Sequence, residues 1–211
     1  MTLGIAIPTF SGHLFHLKKL LTRISESTVL PNQVSVSISS VDEDIIFDEY
    51  PFELIITKTT ERKNPCENRN IAASKLTTDI ISFIDGDDIP HVKRIEYILE
   101  SFKLGAKAVV HNYNQDGNSD SDWYLSNLDP INYQHEYVDT VFGHCPFAQN
   151  SSNHQDYHCA HISVNKEIFD NIRYDELIGW SVGEDAEYTS RLVNNNIKIS
   201  YVFNKLSQYV K

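Results

Sequence analysis

Ile80-Ile81-Ser82-Phe83-Ile84-Asp85-Gly86-Asp87-Asp88 runs from an almost unbroken apolar stretch into three carboxylates around one glycine. A short, β-branched, apolar run of this kind suits a central strand of an α/β sheet covered on both faces. Ligands of such sheets gather beyond the carboxyl ends of the strands, which is where these acids fall. Asp85 and Asp87 lie two apart at the strand's end, so both point into one crevice while Gly86 lets the backbone turn tightly. Carboxylates this close repel one another unless a proton or a hard divalent ion compensates them, and oxygen ligands suit Mg²⁺ or Mn²⁺. The plain alternative is a capped turn with solvated acids. Asp88 stands open between a supporting partner and an N-terminal cap for the helix that follows through Pro90.

Outward from that stretch, strand and helix patterns alternate. Residues 3–8 read as a first strand, and residues 14–25 carry Leu14, Leu17, Leu20, Leu21 and Ile24 at helical spacing. Val34, Val36 and Ile38 alternate within 33–39, and 53–57 is another short apolar run, so both read as strands. Helices are expected at 66–76 and 92–102, and a strand at 106–112 after Gly105. Between 115 and 157 the pattern weakens into polar and aromatic residues, a long insert of the functional-loop kind with a strand or hairpin around 137–142. Regular patterning returns as a strand at 159–164, a short helix at 166–171, a longer helix at 184–194 and a final strand at 197–203. The class is therefore α/β, a mostly parallel central sheet flanked by helices, in one domain over 1–211.

The chain has 211 residues, 41% hydrophobic and 22% charged, and no apolar run long enough to span a bilayer. Met1-Thr2-Leu3-Gly4-Ile5 begins directly with strand-like sequence, and Cys66, Cys145 and Cys159 form no CxxC pair, which together lead us to expect reduced thiols and a cytoplasmic location. A formal net charge of −11 argues against a nucleic-acid backbone binder, so any bound phosphate needs local Arg, Lys, amide or metal help. His144, Cys145, His154, His158, Cys159 and His161 crowd one region. Their spacing makes neither a CxxC knuckle nor an HExxH helix, and loop and core histidines are expected there rather than a zinc site.

Four segments, in order, carry a resemblance: Ile5-Ala6-Ile7-Pro8-Thr9-Phe10, Asn68-Arg69-Asn70, Asp85-Gly86-Asp87, and Gly183-Glu184-Asp185 through Arg191. They resemble the nucleotide-binding first strand, the Arg-Asn pair, the DxD motif and the C-terminal acidic helix start of nucleotide-sugar glycosyltransferases of the GT-A fold. The chain is most similar to the large inverting family 2. That resemblance implies a Rossmann-like GT-A sheet, with a nucleotide-binding part over about 1–112 and an acceptor-side part over about 113–211. It implies a UDP-sugar donor of hexose type, a hydroxyl of a glycan or glycoconjugate as acceptor, and Mn²⁺ (or Mg²⁺) as cofactor. Asp87 is implied as the metal ligand, with Asp85 at the ribose or on the metal side. Pro8, Thr9, Phe10, Asp42 and Gly86 are implied at the nucleotide, and Arg69 at the uracil or the diphosphate. Asp185 is implied as the base that takes the acceptor proton, with Glu184 beside it binding the acceptor or supporting the base.

Each residue also has a plainer reading. Arg69 could form a helix-surface ion pair with Glu67 or Glu61, Phe10 and Trp180 could be core aromatics, and the acids at 184–185 could cap a helix. A retaining GT-A enzyme would share the metal site without needing Asp185 as base. A nucleotidyltransferase usually carries a Gly-rich basic loop after the first strand, whereas residues 9–14 hold one glycine and no Lys or Arg. A non-catalytic nucleotide- or sugar-binding module would keep the fold, but the intact Asp85, Asp87 and Asp185 speak against it. Little sequence remains after the acidic helix to form an acceptor lid, which points to a module of a larger glycosylation enzyme.

Overall fold

Leu3, Ile5 and Ile7 face one hydrophobic cluster and Ala6 the other, so the first strand is buried on both sides, as its apolar run requires. The computed structural model describes residues 1–117, 122–137, 161–180 and 183–210. In it β1 (Leu3–Phe10) leads into α1 (Leu14–Ser25), and β2 (Gln33–Ser39) and β3 (Glu53–Thr59) precede α2 (Pro65–Ser74). Then come β4 (Ile80–Phe83), the two-residue β5 (Ile89–Pro90), α3 (Arg94–Lys103), β6 (Ala108–Gly117) and β7 (Tyr133–Tyr137). The chain ends with β8 (Ser163–Asn165), α4 (Lys166–Asn171), α5 (Glu184–Asn194) and β9 (Ile199–Val210).

The strand order is β3-β2-β1-β4-β8-β6-β9-β5, with β7 paired to β9. The first four strands are mutually parallel, and the β6–β9 ladder is parallel as well. β8 runs antiparallel between β4 and β6. Leu17, Leu20, Leu21 and Ile24 of α1 and Ile95, Ile98 and Phe102 of α3 pack with Val34, Val36 and Ile80 in one cluster. Ala72 and Ala73 of α2, Phe169 of α4 and Tyr188 and Leu192 of α5 pack with Ile81, Phe83 and Tyr201 in the other. Consecutive strand residues thus feed opposite layers, the period-two rule of a doubly covered sheet.

Some boundaries depart from the sequence expectation for identifiable reasons. The last strand does not stop at Phe203 but continues through the polar Asn204 and Lys205 to Val210, because register shifts against β6 at His111/Asn112 and Asn112/Tyr113 pass over Phe203, Asn204 and Leu206 while Lys205 pairs with Asn112. Pro90 does not open a helix. It lies in β5, paired with Ser207, and the helix starts at Arg94. A strand, β7, ends at Tyr137, where the strand or hairpin expected around 137–142 would begin, and residues 138–142 lie outside the described residues. So do His144, Cys145, His154, His158 and Cys159.

Candidate active site

Ala6 pairs with Phe83 in the parallel β1–β4 ladder, so two residues further on Pro8 stands beside Asp85 and the two strand ends open into a common crevice. Gly86 is required there by close approach: a Cβ on it would lie 2.6 Å from Thr9 Oγ1 and 3.2 Å from the Pro8 carbonyl oxygen. Gly86→Ala is therefore expected to cost about 1–3 kcal/mol of stability and to displace Thr9. A chemical-denaturation midpoint equal to that of the native chain would count against this packing.

α2 organises the crevice. Its start is fixed by a capping box, in which Asn64 Oδ1 accepts from the Glu67 amide at 2.9 Å and Glu67 Oε2 accepts from the Asn64 amide at 2.8 Å, with Pro65 in the first turn. The next three residues are buried and each reaches a different element. Asn68 accepts from Ser37 Oγ at 2.9 Å and donates to the Thr9 carbonyl at 3.2 Å, stapling the ends of β1 and β2. Asn70 donates to the Tyr174 carbonyl and to Glu176 Oε1, both at 2.9 Å, holding the segment before α5.

Arg69, between them, bridges the two acidic motifs. Its guanidinium donates to Asp85 Oδ1 at 2.9 Å and to Glu184 Oε1 at 2.7 Å, and only 3% of its side chain is exposed. Burial alone would weaken that cation, but the facing charges of Asp85 and Glu184 outweigh it and hold the group above its usual pKa. Glu67, a partner in the plainer ion-pair reading of Arg69, instead closes the capping box and lies 3.4 Å from Lys63 Nζ. Glu184 is presented by a helix whose N-cap is Gly183 in the left-handed region (φ 104°), so its carboxylate sits at the positive end of α5.

A cavity of about 260 Å³ occupies the crevice, lined by Pro8, Thr9, Phe10, Arg69, Asp85, Gly86, Asp87 and Glu184 among the residues expected from sequence. Asp42 and Asp185 do not line it: Asp42 is exposed beyond β2, and Asp185 Oδ1 accepts from the Ala186 amide at 2.8 Å. Sequence reasoning missed His13, Arg62 and Lys63, of which the last two bring positive charge to the cavity wall. They carry no motif, and the available signal was their place in the turns after β1 and β3, at the carboxyl ends of parallel strands. Trp180, which is 60% exposed, faces Arg62 at 4.7 Å, and Arg62 also lies 5.2 Å from the Phe10 ring, so a guanidinium held between two aromatics spans the rim. Thr9 Oγ1 and Arg69 Nε, in residues more than nine-tenths buried, have no hydrogen-bond partner among the described residues. Polar atoms left in that state in a cavity wall are suited to a polar ligand.

The three carboxylates differ sharply in setting. Burial and then the neighbouring Asp85 charge push Asp87 above the usual carboxylate range, with His13 opposing. Burial, Asp85 and Asp87 push Asp88 further up. Asp88 is no helix cap. It is buried, accepts from the Val210 amide at 3.2 Å, and its Oδ2 lies 2.7 Å from His161 Nε2 without hydrogen-bond alignment. Asp85, Asp88 and His161 offer ligand atoms within 4.8 Å of one another. Behind them Arg94 is fully buried, donating to the Phe83 carbonyl at 2.8 Å, and burial lowers its pKa to about 9 against the pull of Asp88.

A mostly parallel sheet flanked by helices, with an acidic and arginine-lined crevice at its strand ends, defines the class of GT-A glycosyltransferases. The family model for glycosyl transferase family 2 matches residues 42–170, and the chain belongs to that family. No curated protein matches its sequence. Among solved structures it is similar to Staphylococcus aureus TarS 1–349, with a TM-score of 0.68 at 11% identity over 100% of this chain and 60% of that one. TarS 1–349 in complex with UDP gives 0.67 at 13% identity over 100% and 61%, and its complex with UDP-GlcNAc gives 0.66 at 14% over 100% and 59%. The chain thus spans about three fifths of those structures. Among the described residues no helix is long and apolar enough to cross a membrane.

Proposed function

We propose that this glycosyltransferase moves a hexose-type sugar from a UDP-sugar to a hydroxyl of a glycan or glycoconjugate, with inversion. The observation that carries the reading is the arrangement of Asp85, Asp87, Arg69 and Glu184 around one cavity at the ends of β1 and β4. TarS structures hold UDP and UDP-GlcNAc on the same fold, which supports a nucleotide-sugar donor. Pro8, Thr9 and Phe10 form the cavity wall assigned to the nucleotide, and Arg62 and Lys63 add the cationic groups that its diphosphate needs in so acidic a chain.

The donor set fits a divalent cation. Burial and the neighbouring Asp85 charge raise Asp87, and a bound dication facing both carboxylates from the cavity relieves that repulsion. Asp87, in the cavity wall, is the assigned ligand together with Asp85, for Mn²⁺ or Mg²⁺. When bound, such an ion supplies charge neutralisation at the departing diphosphate. Asp185, partly exposed and beside Glu184, is assigned as the base for the acceptor hydroxyl. Glu184 is occupied by Arg69 and supports the site instead of taking the proton.

Asp185→Asn is expected to lower the transfer rate by about 10²- to 10⁴-fold while UDP affinity stays within a factor of two or three. Equal loss of both would assign Asp185 to donor binding or to the fold. We also read 1–211 as a single GT-A domain, a module within a larger glycosylation enzyme, working in the cytoplasm.

A further inference from the structure

We infer that His13 is a nitrogen ligand of the catalytic cation, reaching it from the turn after β1. This role presupposes the metal-dependent donor site proposed above and adds a residue to it. His13 Nδ1 lies 3.6 Å from Asp87 Oδ2, each side chain is about one third exposed (35% and 33%), and both line the donor cavity. That separation is too long for an ordinary hydrogen bond. It is close to the roughly 3.0–3.5 Å between two atoms each about 2.1 Å from one ion at octahedral or tetrahedral angles.

The ring is held in place from the protein side. It packs on Phe10 with centroids 4.3 Å apart, and its edge meets His16 at 5.9 Å. Gly12 makes this possible, because a Cβ there would lie 2.4 Å from the Phe10 ring. The imidazole therefore faces the cavity from the β1 side while Asp87 faces it from the β4 side.

The competing cluster of Asp85, Asp88 and His161 is a poorer place for an ion that must touch a diphosphate. Asp88 and His161 are each 1% exposed and do not line the cavity. His161 Nδ1 lies 2.7 Å from Ser207 Oγ, and Asp88 Oδ1 accepts from the Val210 amide, so the pair ties the end of β4 to β9. The buried Arg94, whose charge acts on Asp88, already supplies positive charge there.

A mixed set of imidazole and carboxylate has a consequence for ion choice. Imidazole nitrogen favours transition ions, whereas Mg²⁺ prefers oxygen alone, so the site should take Mn²⁺ in preference to Mg²⁺ through His13.

The test is electron spin echo envelope modulation of the Mn²⁺-loaded protein, together with Mn²⁺ and Mg²⁺ affinities. The native chain is expected to show ¹⁴N modulation. His13→Gln should lose it, weaken Mn²⁺ by at least about tenfold, as even outer-sphere partners of metal ligands do, and leave Mg²⁺ nearly unchanged. His13→Asp should keep Mn²⁺ affinity without the nitrogen signal, and His16→Gln and His161→Gln should keep both. Nitrogen modulation that survives His13→Gln and disappears in His161→Gln would overturn the assignment in favour of the buried cluster. An ion that depends on Asp87 but shows no nitrogen coupling would overturn the His13 role alone. Mn²⁺ affinity indifferent to Asp87→Asn would overturn the metal reading beneath it as well.

Discussion

Asp87→Asn is expected to unfold at a higher temperature than the native chain when no ligand is present, and to transfer sugar at least about 10²-fold more slowly. The rate follows from the several kcal/mol that a bound cation contributes to transition-state charge, at tenfold per 1.36 kcal/mol. The stability gain follows from the strain of an acid held beside Asp85 in a partly dry wall. Its folded pKa is raised above the ordinary Asp value of about 3.9. The native state thus binds the proton more tightly than the unfolded chain. Stability is lost as pH rises from about 3.9 through the raised folded value, and it stays lost above. The melting-temperature advantage of the variant should accordingly open over that interval and close below it. Mn²⁺ at saturation should reverse the order of the two proteins by stabilising only the native one. A variant less stable than the native chain in ligand-free thermal scans at neutral pH would contradict the raised Asp87 pKa, and one that transfers sugar normally would remove Asp87 from the metal.

Arg69→Ala should be among the most destabilising substitutions in the molecule. It leaves Asp85 and Glu184 without their shared cation in a largely buried setting, a change that costs about 3–5 kcal/mol in comparable buried pairs. For a chain of this size that is a fall of roughly 6–20 °C in melting temperature, at about 2–4 °C per kcal/mol. Arg69→Lys should recover little, because one ammonium cannot span both carboxylates as the planar fork does. Glu184→Gln on the Arg69→Ala background should restore part of the loss, since it removes one of the two stranded charges. If Arg69→Ala melts within two degrees of the native chain while losing UDP binding, its guanidinium serves the donor and not the bridge between the acidic motifs.

The strands around the site were legible because they are the most buried. Residues 3–8, 33–39 and 80–84 are short strands with buried Ile, Val or Leu side chains, and strand ends are where ligands of parallel sheets collect, so Asp85, Gly86 and Asp87 could be expected at a ligand crevice. What escaped was decided by distant partners. Arg69 meets Asp85 and Glu184 across 16 and 115 residues, and no local spacing announces that pairing. Asp88 stood open between a supporting partner and a cap from its neighbours, and its setting is defined by His161, which folds onto it just before the antiparallel β8. The continuation of β9 past Asn204-Lys205 depends on an irregular ladder with β6, a property of two strands and not of one. His13 has the weakest sequence signal of all, since a single histidine in a turn carries no pattern.

Thermal unfolding with UDP, GDP and CMP, each with and without Mn²⁺, tests the donor-site reading most directly. At a hundredfold excess over the dissociation constant the gain is about 2.7 kcal/mol, or roughly 5–11 °C for a chain of this size. The account predicts a shift that requires UDP and Mn²⁺ together, with GDP and CMP producing less and Asp87→Asn producing none. No shift with any nucleotide, or the same shift from Mn²⁺ whether or not UDP is present, would contradict it.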